Sequence, residues 1–396
     1  MIVKRISPGF AALWATPGRR GLVAGLVAMI VTAATASHHE VSNNYALLAF
    51  SFVHGHIDIS WPGVWIDALS YNGKYYVIEG PLPALLLVPW VALVGGADQS
   101  ALAIFLCGVA VGLAWLTCER SGASPRSALW LCAFFYFGTQ LWWCARLGGD
   151  VWFLAHVTGV AFTIGALAET AGHRRGWVVA LAICAATFAR FSLVLAVPVF
   201  VWLVVRDRTP IARMRALGGF AAVCVIAGVT WVAYNEARWN LWYDIGFTEW
   251  FRRDPIGVPN GSPFAVRYLG YELWSFFVQG PQLQAAFPYL IFVTSGVAMT
   301  WTSPALALAF SARRPNFMVI AMWVATILTA GPSFVYYVNG FAQFGMRHAL
   351  DFEPFLLVLM ALGSTSGIPR WGRALIVWSV LVGIWGVWLT IIIYHH

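Results

Sequence analysis

Glu40 in "SHHEVSNNYALLAFSFVHG", Asp67 in "WIDALSYNG" and Asp150 in "CARLGGDVWFLAHVTG" are carboxylates placed where apolar runs begin or end. An ionisable group at the edge of a bilayer is costly, roughly 2.5–3.5 kcal/mol on insertion scales, so it usually has a partner or a task. Facing a cavity, such a carboxylate is suited to act as a general base or to bind a metal. Each also has an ordinary explanation. Glu40 suits a solvated charge at the start of a helix over 41–53, where the helix dipole favours it. Asp150 suits a helix N-cap, worth about 1 kcal/mol. Asp67 and Lys74 suit exposed loop charges flanking Asn72–Gly73, a strong tight-turn signal.

Arg190, Arg238 and Arg347 come from three separate stretches, "TFARFS", "NEARWN" and "QFGMRHALDFEP". A guanidinium is always charged and offers a planar fork of donors, which suits a phosphate at a membrane surface. Converging, the three would form an anion site, with Lys74 as a further cation. Interfacial snorkelling or internal pairing is the alternative, for example Arg347 with Asp351 at i, i+4. Tyr45, Tyr75, Tyr76, His156 and Asp351 are the candidate contacts to a sugar or an acceptor. The ring density near Tyr71, Trp61 and Trp65 suits stacking on sugars, while His156, alone in an apolar run, equally suits a packed, hydrogen-bonded residue.

The six cysteines all lie in or at the ends of apolar runs, which leaves no disulfide framework and no metal-ligand spacing. A hard cation such as Mg²⁺ or Mn²⁺ prefers clustered oxygen ligands, whereas only separated carboxylates are visible, so no residue is assigned to a metal.

The elements that must position these residues follow from composition. Of the 396 residues 60% are hydrophobic and only 10% charged, with apolar runs along the whole length, and mean hydropathy is +0.74. This is an all-α polytopic membrane protein, with membrane lipid as its surroundings and nucleic acid not expected as a partner. The opening residues loosely imitate a signal peptide at "TAATAS", but the many apolar segments that follow favour an anchor.

The net charge of +8 is concentrated at Lys4/Arg5, Arg19/Arg20, Arg120/Arg126, Arg174/Arg175, Arg206–Arg215, Arg313/Arg314 and Arg370/Arg373. By the positive-inside rule these loops are cytoplasmic, and most carboxylates, Glu79 and Glu272 among them, fall between the clusters on the outer face. Crossings between two cytoplasmic clusters must be even in number, yet three apolar segments separate Arg20 from Arg120. The segment near 82–95 carries Pro83 and Pro89 and reaches only about 20 Å against a core of about 30 Å, so it is expected to be membrane-associated without crossing. The same parity splits 176–206 into two short crossings that meet near Arg190. The competing solution lets 82–95 span and makes 176–206 one long helix. The expected plan is a single transmembrane domain over 1–396 with about eleven spans. Its outer loops are 37–99, 235–283 and 332–352, and the aromatic content of 235–283 suits interfacial helices.

Three stretches, in order, resemble a bacterial branch of the GT-C-fold glycosyltransferases that use polyprenyl-phosphate-linked sugars. They are "LLAFSFVHGHIDI" with "DALSYNGKYYVIEGPLPALLLVPWVALVG"; "GTQLWWCARLGGDVWFLAHVTG" with the helices after it; and "YNEARWNLWYDIGF" with "FGMRHALDFEPFLLVLMALG". The resemblance implies a GT-C-like fold, an acidic residue in the first outer loop, matched by Glu40, and a second at the outer end of a later helix, matched by Asp150. It also implies a membrane-associated helix after the first span. One departure stands out, because the family's Asp-Glu pair reads His39–Glu40 here.

The expected reaction is inverting transfer of a sugar from a polyprenyl-phosphate donor to a hydroxyl of a glycan, lipid or protein acceptor. Its expected place is the periplasmic face of a bacterial inner membrane. Glu40 is the expected base, Asp150 and Asp67 are supporting carboxylates, and Arg190, Arg347, Arg238 and Lys74 are expected on phosphate. A transporter or flippase of a lipid-linked sugar would want the same arginines and aromatics but no base, and would often show paired halves. No internal repeat is visible. A subunit without activity is the third class.

Overall fold

The computed structural model describes residues 15–37, 42–60, 68–253, 261–313 and 316–394. Glu40 and Asp67, with His38, His39, Trp61 and Trp65, lie outside the described residues.

Among the described residues six helices are long and apolar enough to cross a membrane. They are α1 (Pro17–Thr35), α4 (Gln99–Arg120), α7 (Val151–Thr170), α10 (Pro210–Trp239), α14 (Phe317–Phe334) and α16 (Arg370–Tyr394). Among the described residues the remaining apolar segments form shorter pieces. Pro125–Phe137 (α5) is followed by Leu141–Arg146 (α6), and Gly176–Ala189 (α8) by a 3₁₀ turn, Phe191–Ala196, and then Val197–Val205 (α9). Met299–Thr302 (α13) runs into the 3₁₀ segment Pro304–Ser311, and Glu353–Gly363 (α15) stands alone. Of the roughly eleven spans expected, six are helices of full crossing length, and the rest of the apolar sequence is in shorter helices. At 14 residues, α8 reaches only about 21 Å.

The backbone turns extended at Arg190, with φ −139° and ψ 103°. A single helix over 176–206 is therefore not formed, and the break falls where charge parity placed it. Leu82–Val94 (α3) is a separate 13-residue helix ended by Gly95 in the left-handed region, whose N–H donates to the Val91 carbonyl at 2.8 Å. It packs against the apolar helix Asn44–Val53 (α2). Ahead of it, a Cβ on Gly80 would lie 2.1 Å from the Phe188 carbonyl oxygen. Only glycine allows the segment leading to α3 to lie backbone-on-backbone against the last turn of α8.

Strands β1 (Ala68–Tyr71) and β2 (Lys74–Val77) form an antiparallel hairpin in which Ala68 faces Val77. Its turn residues Asn72 and Gly73 both have positive φ, 49° and 76°, as the Asn–Gly signal predicts. Leu69, Tyr76 and Ile78 bury themselves with Trp239, the last residue of α10, in a small core separate from the main one. Helices α11 (Gly246–Arg253) and α12 (Leu269–Phe277) follow in the next loop, which pairs with the 332–352 loop. The Ala265 N–H donates to Val335 O at 2.8 Å and the Tyr337 N–H to Pro263 O at 2.9 Å. The three long loops meet at one end of the bundle.

Candidate functional site

Asp351 ends the 3₁₀ segment Arg347–Asp351, and its side chain is buried. Arg190, released from helical geometry by the break after α8, reaches it with both prongs of its fork: Nε donates to Oδ1 at 3.1 Å and Nη2 to Oδ2 at 3.0 Å. The Ser192 hydroxyl donates to Oδ2 at 2.6 Å, and His156 Nδ1, from α7, lies 3.4 Å from Oδ1. Burial alone would raise the Asp351 carboxyl, but the charge of Arg190 and the contact with His156 outweigh it and hold the carboxyl well below its usual range. His348, one turn earlier, is kept neutral by burial and by the charges of Arg190 and Arg347, and its ring centre is 5.4 Å from that of His156.

Arg347 does not pair with Asp351. A 3₁₀ segment has three residues per turn, so i and i+4 do not stack as they do on an α-helix. Arg347 Nη1 instead donates to Phe341 O at 2.7 Å and to Gln343 Oε1 at 3.4 Å. Arg190 and Arg347 nevertheless act on the same imidazole, so two of the candidate phosphate ligands share one neighbourhood.

Arg238 and Lys74 stand apart from it. Arg238 is buried between the rings of Tyr234 and Trp239, with its guanidinium carbon 4.1 and 4.7 Å from their centres. It donates to Val77 O at 3.1 Å and Asn235 Oδ1 at 2.7 Å, with Asp244 3.4 Å away, and so ties β2 to the end of α10. Lys74 sits at the exposed hairpin tip, 2.9 Å from Asp58.

Asp150 occupies the N-cap position of α7, yet its side chain makes no capping bond. Its Oδ1 accepts the Ser42 N–H at 3.0 Å, and the Val151 N–H donates back to Ser42 O at 3.0 Å. The chain two residues after Glu40 is thereby fastened to the start of α7. Gln99, fully buried, completes the junction. Its Oε1 accepts from Tyr45 N at 2.7 Å and Ala46 N at 3.0 Å, and its Nε2 donates to Gly149 O at 2.6 Å.

Tyr45 is fully buried, and its hydroxyl has no hydrogen-bond partner among the described residues. Burial raises its phenol well above the ordinary value, Glu79 adds to this, and Arg190 opposes it. Glu79, 7% exposed and next to Gly80, is therefore a further carboxylate near the Arg190 end of α8. Tyr75 and Tyr76 point to opposite faces of the hairpin, as alternation requires. Tyr76 packs on Trp239 at 5.0 Å between ring centres, while Tyr75 joins the main core.

Glu79, Ser192 and Gln99 were missed from sequence. Ser192 stands two residues from Arg190, and Glu79 interrupts an apolar run, which were the available signals; Gln99 gave none. Among the described residues no three His, Cys, Asp or Glu side chains come together as a metal-ligand set. Asp351 is already compensated by Arg190 and ringed by imidazoles, so its surroundings do not fit Mg²⁺ or Mn²⁺.

No protein-family profile matches the chain, and no curated protein sequence does. Among solved structures, the chain is similar to ArnT from Cupriavidus metallidurans bound to undecaprenyl phosphate, with TM-score 0.54 and 16% identity over 96% of this chain. The match covers 63% of the ArnT chain. The fold is the GT-C fold.

Proposed function

We propose that this protein is a glycosyltransferase that moves a sugar from a polyprenyl-phosphate donor to an acceptor hydroxyl, with inversion, at the outer face of a bacterial inner membrane. The observation that carries the reading is the Arg190–Asp351 pair at the meeting point of the three loops, in a fold shared with a protein solved with a polyprenyl phosphate. Asp351 uses Nε and Nη2 of Arg190, which fixes the plane of the fork and leaves Nη1 without a partner among the described residues. The Arg190 side chain is 20% exposed, so that nitrogen is available to a phosphate oxygen. Arg347 adds a second positive charge nearby.

In this reading a carboxylate takes the acceptor's proton as the anomeric carbon gains oxocarbenium character. The arginines stabilise the departing phosphate, where negative charge develops. Glu40 is the base, and Asp150 holds the segment that carries it. No step requires a metal. The test is to incubate purified protein with radiolabelled polyprenyl-phosphate sugars and measure release of polyprenyl phosphate. Release that depends on acceptor supports transfer. Movement of intact donor across vesicles without release would replace this reading with a flippase.

A further inference from the structure

The opposite, basic end of the bundle holds an open cavity of about 510 Å³ that the proposed reaction does not use. It lies where the starts of α8 and α10 meet, and its lining includes Arg175, Arg208, Arg215, Trp177, Thr209 and Ile211. The two helices touch at its floor, since a Cβ on Gly176 would lie 2.1 Å from the Ala216 carbonyl oxygen. Six arginines (174, 175, 206, 208, 213 and 215) lie on the two segments that meet here, 169–176 and 204–216, against two acidic residues, and both acids are already engaged. Glu169 takes Arg175 at 2.9 and 3.0 Å, and Asp207 takes Arg206 at 3.0 Å.

Arginines that only set topology need be no more than numerous and solvated. These differ in being held. Arg174 Nη2 donates to the Arg206 carbonyl at 2.6 Å and Arg208 Nη2 donates back to the Arg174 carbonyl, which locks the two loops together, while Arg208 Nε holds its own loop through the Val204 carbonyl at 2.7 Å. Arg215 makes no hydrogen bond or ion pair among the described residues. The first turn of the 30-residue α10 adds its dipole at the same place. One side of the cavity is apolar: Trp177 is 54% exposed and Ile211 67%, and the exposed surface continues along α10 through Met214 and Leu217. Concentrated positive charge beside an interfacial tryptophan and a lipid-facing helix matches a headgroup with its acyl chain attached better than it matches a free anion.

We propose that this cavity binds the phosphate headgroup of an anionic glycerophospholipid, with Arg175, Arg208 and Arg215 around the phosphate and Trp177 and Ile211 against the upper acyl chain. The test is native mass spectrometry of the full-length protein in detergent, titrated separately with phosphatidylglycerol, phosphatidylcholine and inorganic phosphate. One phosphatidylglycerol is expected to bind in preference to phosphatidylcholine. Arg215→Glu is expected to lower its affinity about tenfold or more, and Arg213→Glu, on the same helix but outside the cavity, by less than about twofold. Arg215→Gln serves as the milder variant if thermal unfolding shows that charge reversal harms the fold. Equal losses at Arg213 and Arg215 would reduce the site to diffuse surface charge. Competition by inorganic phosphate at concentrations similar to the lipid, or equal binding of phosphatidylcholine, would overturn the lipid assignment.

Discussion

Arg190 grips both carboxylate oxygens of Asp351 across 161 positions of sequence, at 3.1 and 3.0 Å. That one pair connects the break after α8 to the 3₁₀ segment before α15.

Removing one partner of a buried ion pair leaves the other uncompensated, which typically costs about 3–5 kcal/mol. Asp351→Ala is therefore expected to lower the thermal midpoint of the detergent-solubilised protein sharply. Arg190→Lys is expected to retain part of the stability but little donor use, because lysine lacks the fork. A double-mutant cycle between Arg190→Ala and Asp351→Ala should give a large coupling energy, and additive losses would dissolve the pair as a unit. The folded Asp351 pKa is depressed below its ordinary value of 3.8, so its contribution is fully present above about pH 4 and is lost only as acid protonates it.

Asp150 offers a way to separate anchoring from chemistry. Asparagine keeps an oxygen that can accept the Ser42 N–H, so Asp150→Asn should leave stability within about 0.5 kcal/mol, whereas Asp150→Ala should lose about 1 kcal/mol or more. Glu40→Gln is expected to abolish transfer by about 10²–10⁴-fold while donor binding persists. Full activity in Glu40→Gln together with a dead Asp150→Asn would exchange the two roles.

Gly80→Ala places a methyl group where the Phe188 carbonyl oxygen already stands. Overpacking of this kind costs about 1–3 kcal/mol. Because the strain falls one residue from Glu79 and two from Arg190, donor turnover should fall together with the unfolding temperature. A variant with wild-type turnover and midpoint would show that this contact opens freely.

Glu272 in α12 is fully buried with neither carboxylate oxygen hydrogen-bonded among the described residues, and burial pushes its pKa up to about 8. The folded state thus holds a proton that the unfolded chain releases near the ordinary value of 4.5, so stability should fall as pH rises from about 4.5 to about 8 and then level off. Glu272→Gln should remove that slope. Unfolding midpoints of both proteins between pH 5 and 9 check it, and parallel curves would refute it.

Orientation is open to labelling. Cysteine placed at the exposed His173 should react with a membrane-impermeant maleimide only after cells are permeabilised, whereas cysteine at Lys74 should react in intact cells. The reverse pattern would invert the molecule in its membrane.

Much of this architecture could be read from charge and chain length alone. The turn at Arg190 followed from parity between basic loops, the separate helix over 82–94 from its length and prolines, and the hairpin turn from Asn72–Gly73. The partners of the site residues could not be read. Arg347 and Asp351 stand four apart, which suggests a local pair, but the tighter 3₁₀ winding separates them and lets in an arginine from a distant helix. Glu79 looked like one outer carboxylate among many, because its burial depends on Gly80 meeting Phe188, a contact with no local periodicity. Arg238 resembled a phosphate ligand because a lone sequence does not reveal how many carbonyls its fork already serves.

At 30 residues α10 is about 45 Å long, against a hydrocarbon core of about 30 Å. Fitting that length wholly inside would need a lean beyond the roughly 40° that such helices reach, so part of it must stand clear of the acyl region. Its final turns hold the hairpin through Trp239 and Arg238. The helix therefore works as a mast, setting the height at which the hairpin and the loops packed on it stand relative to the bilayer.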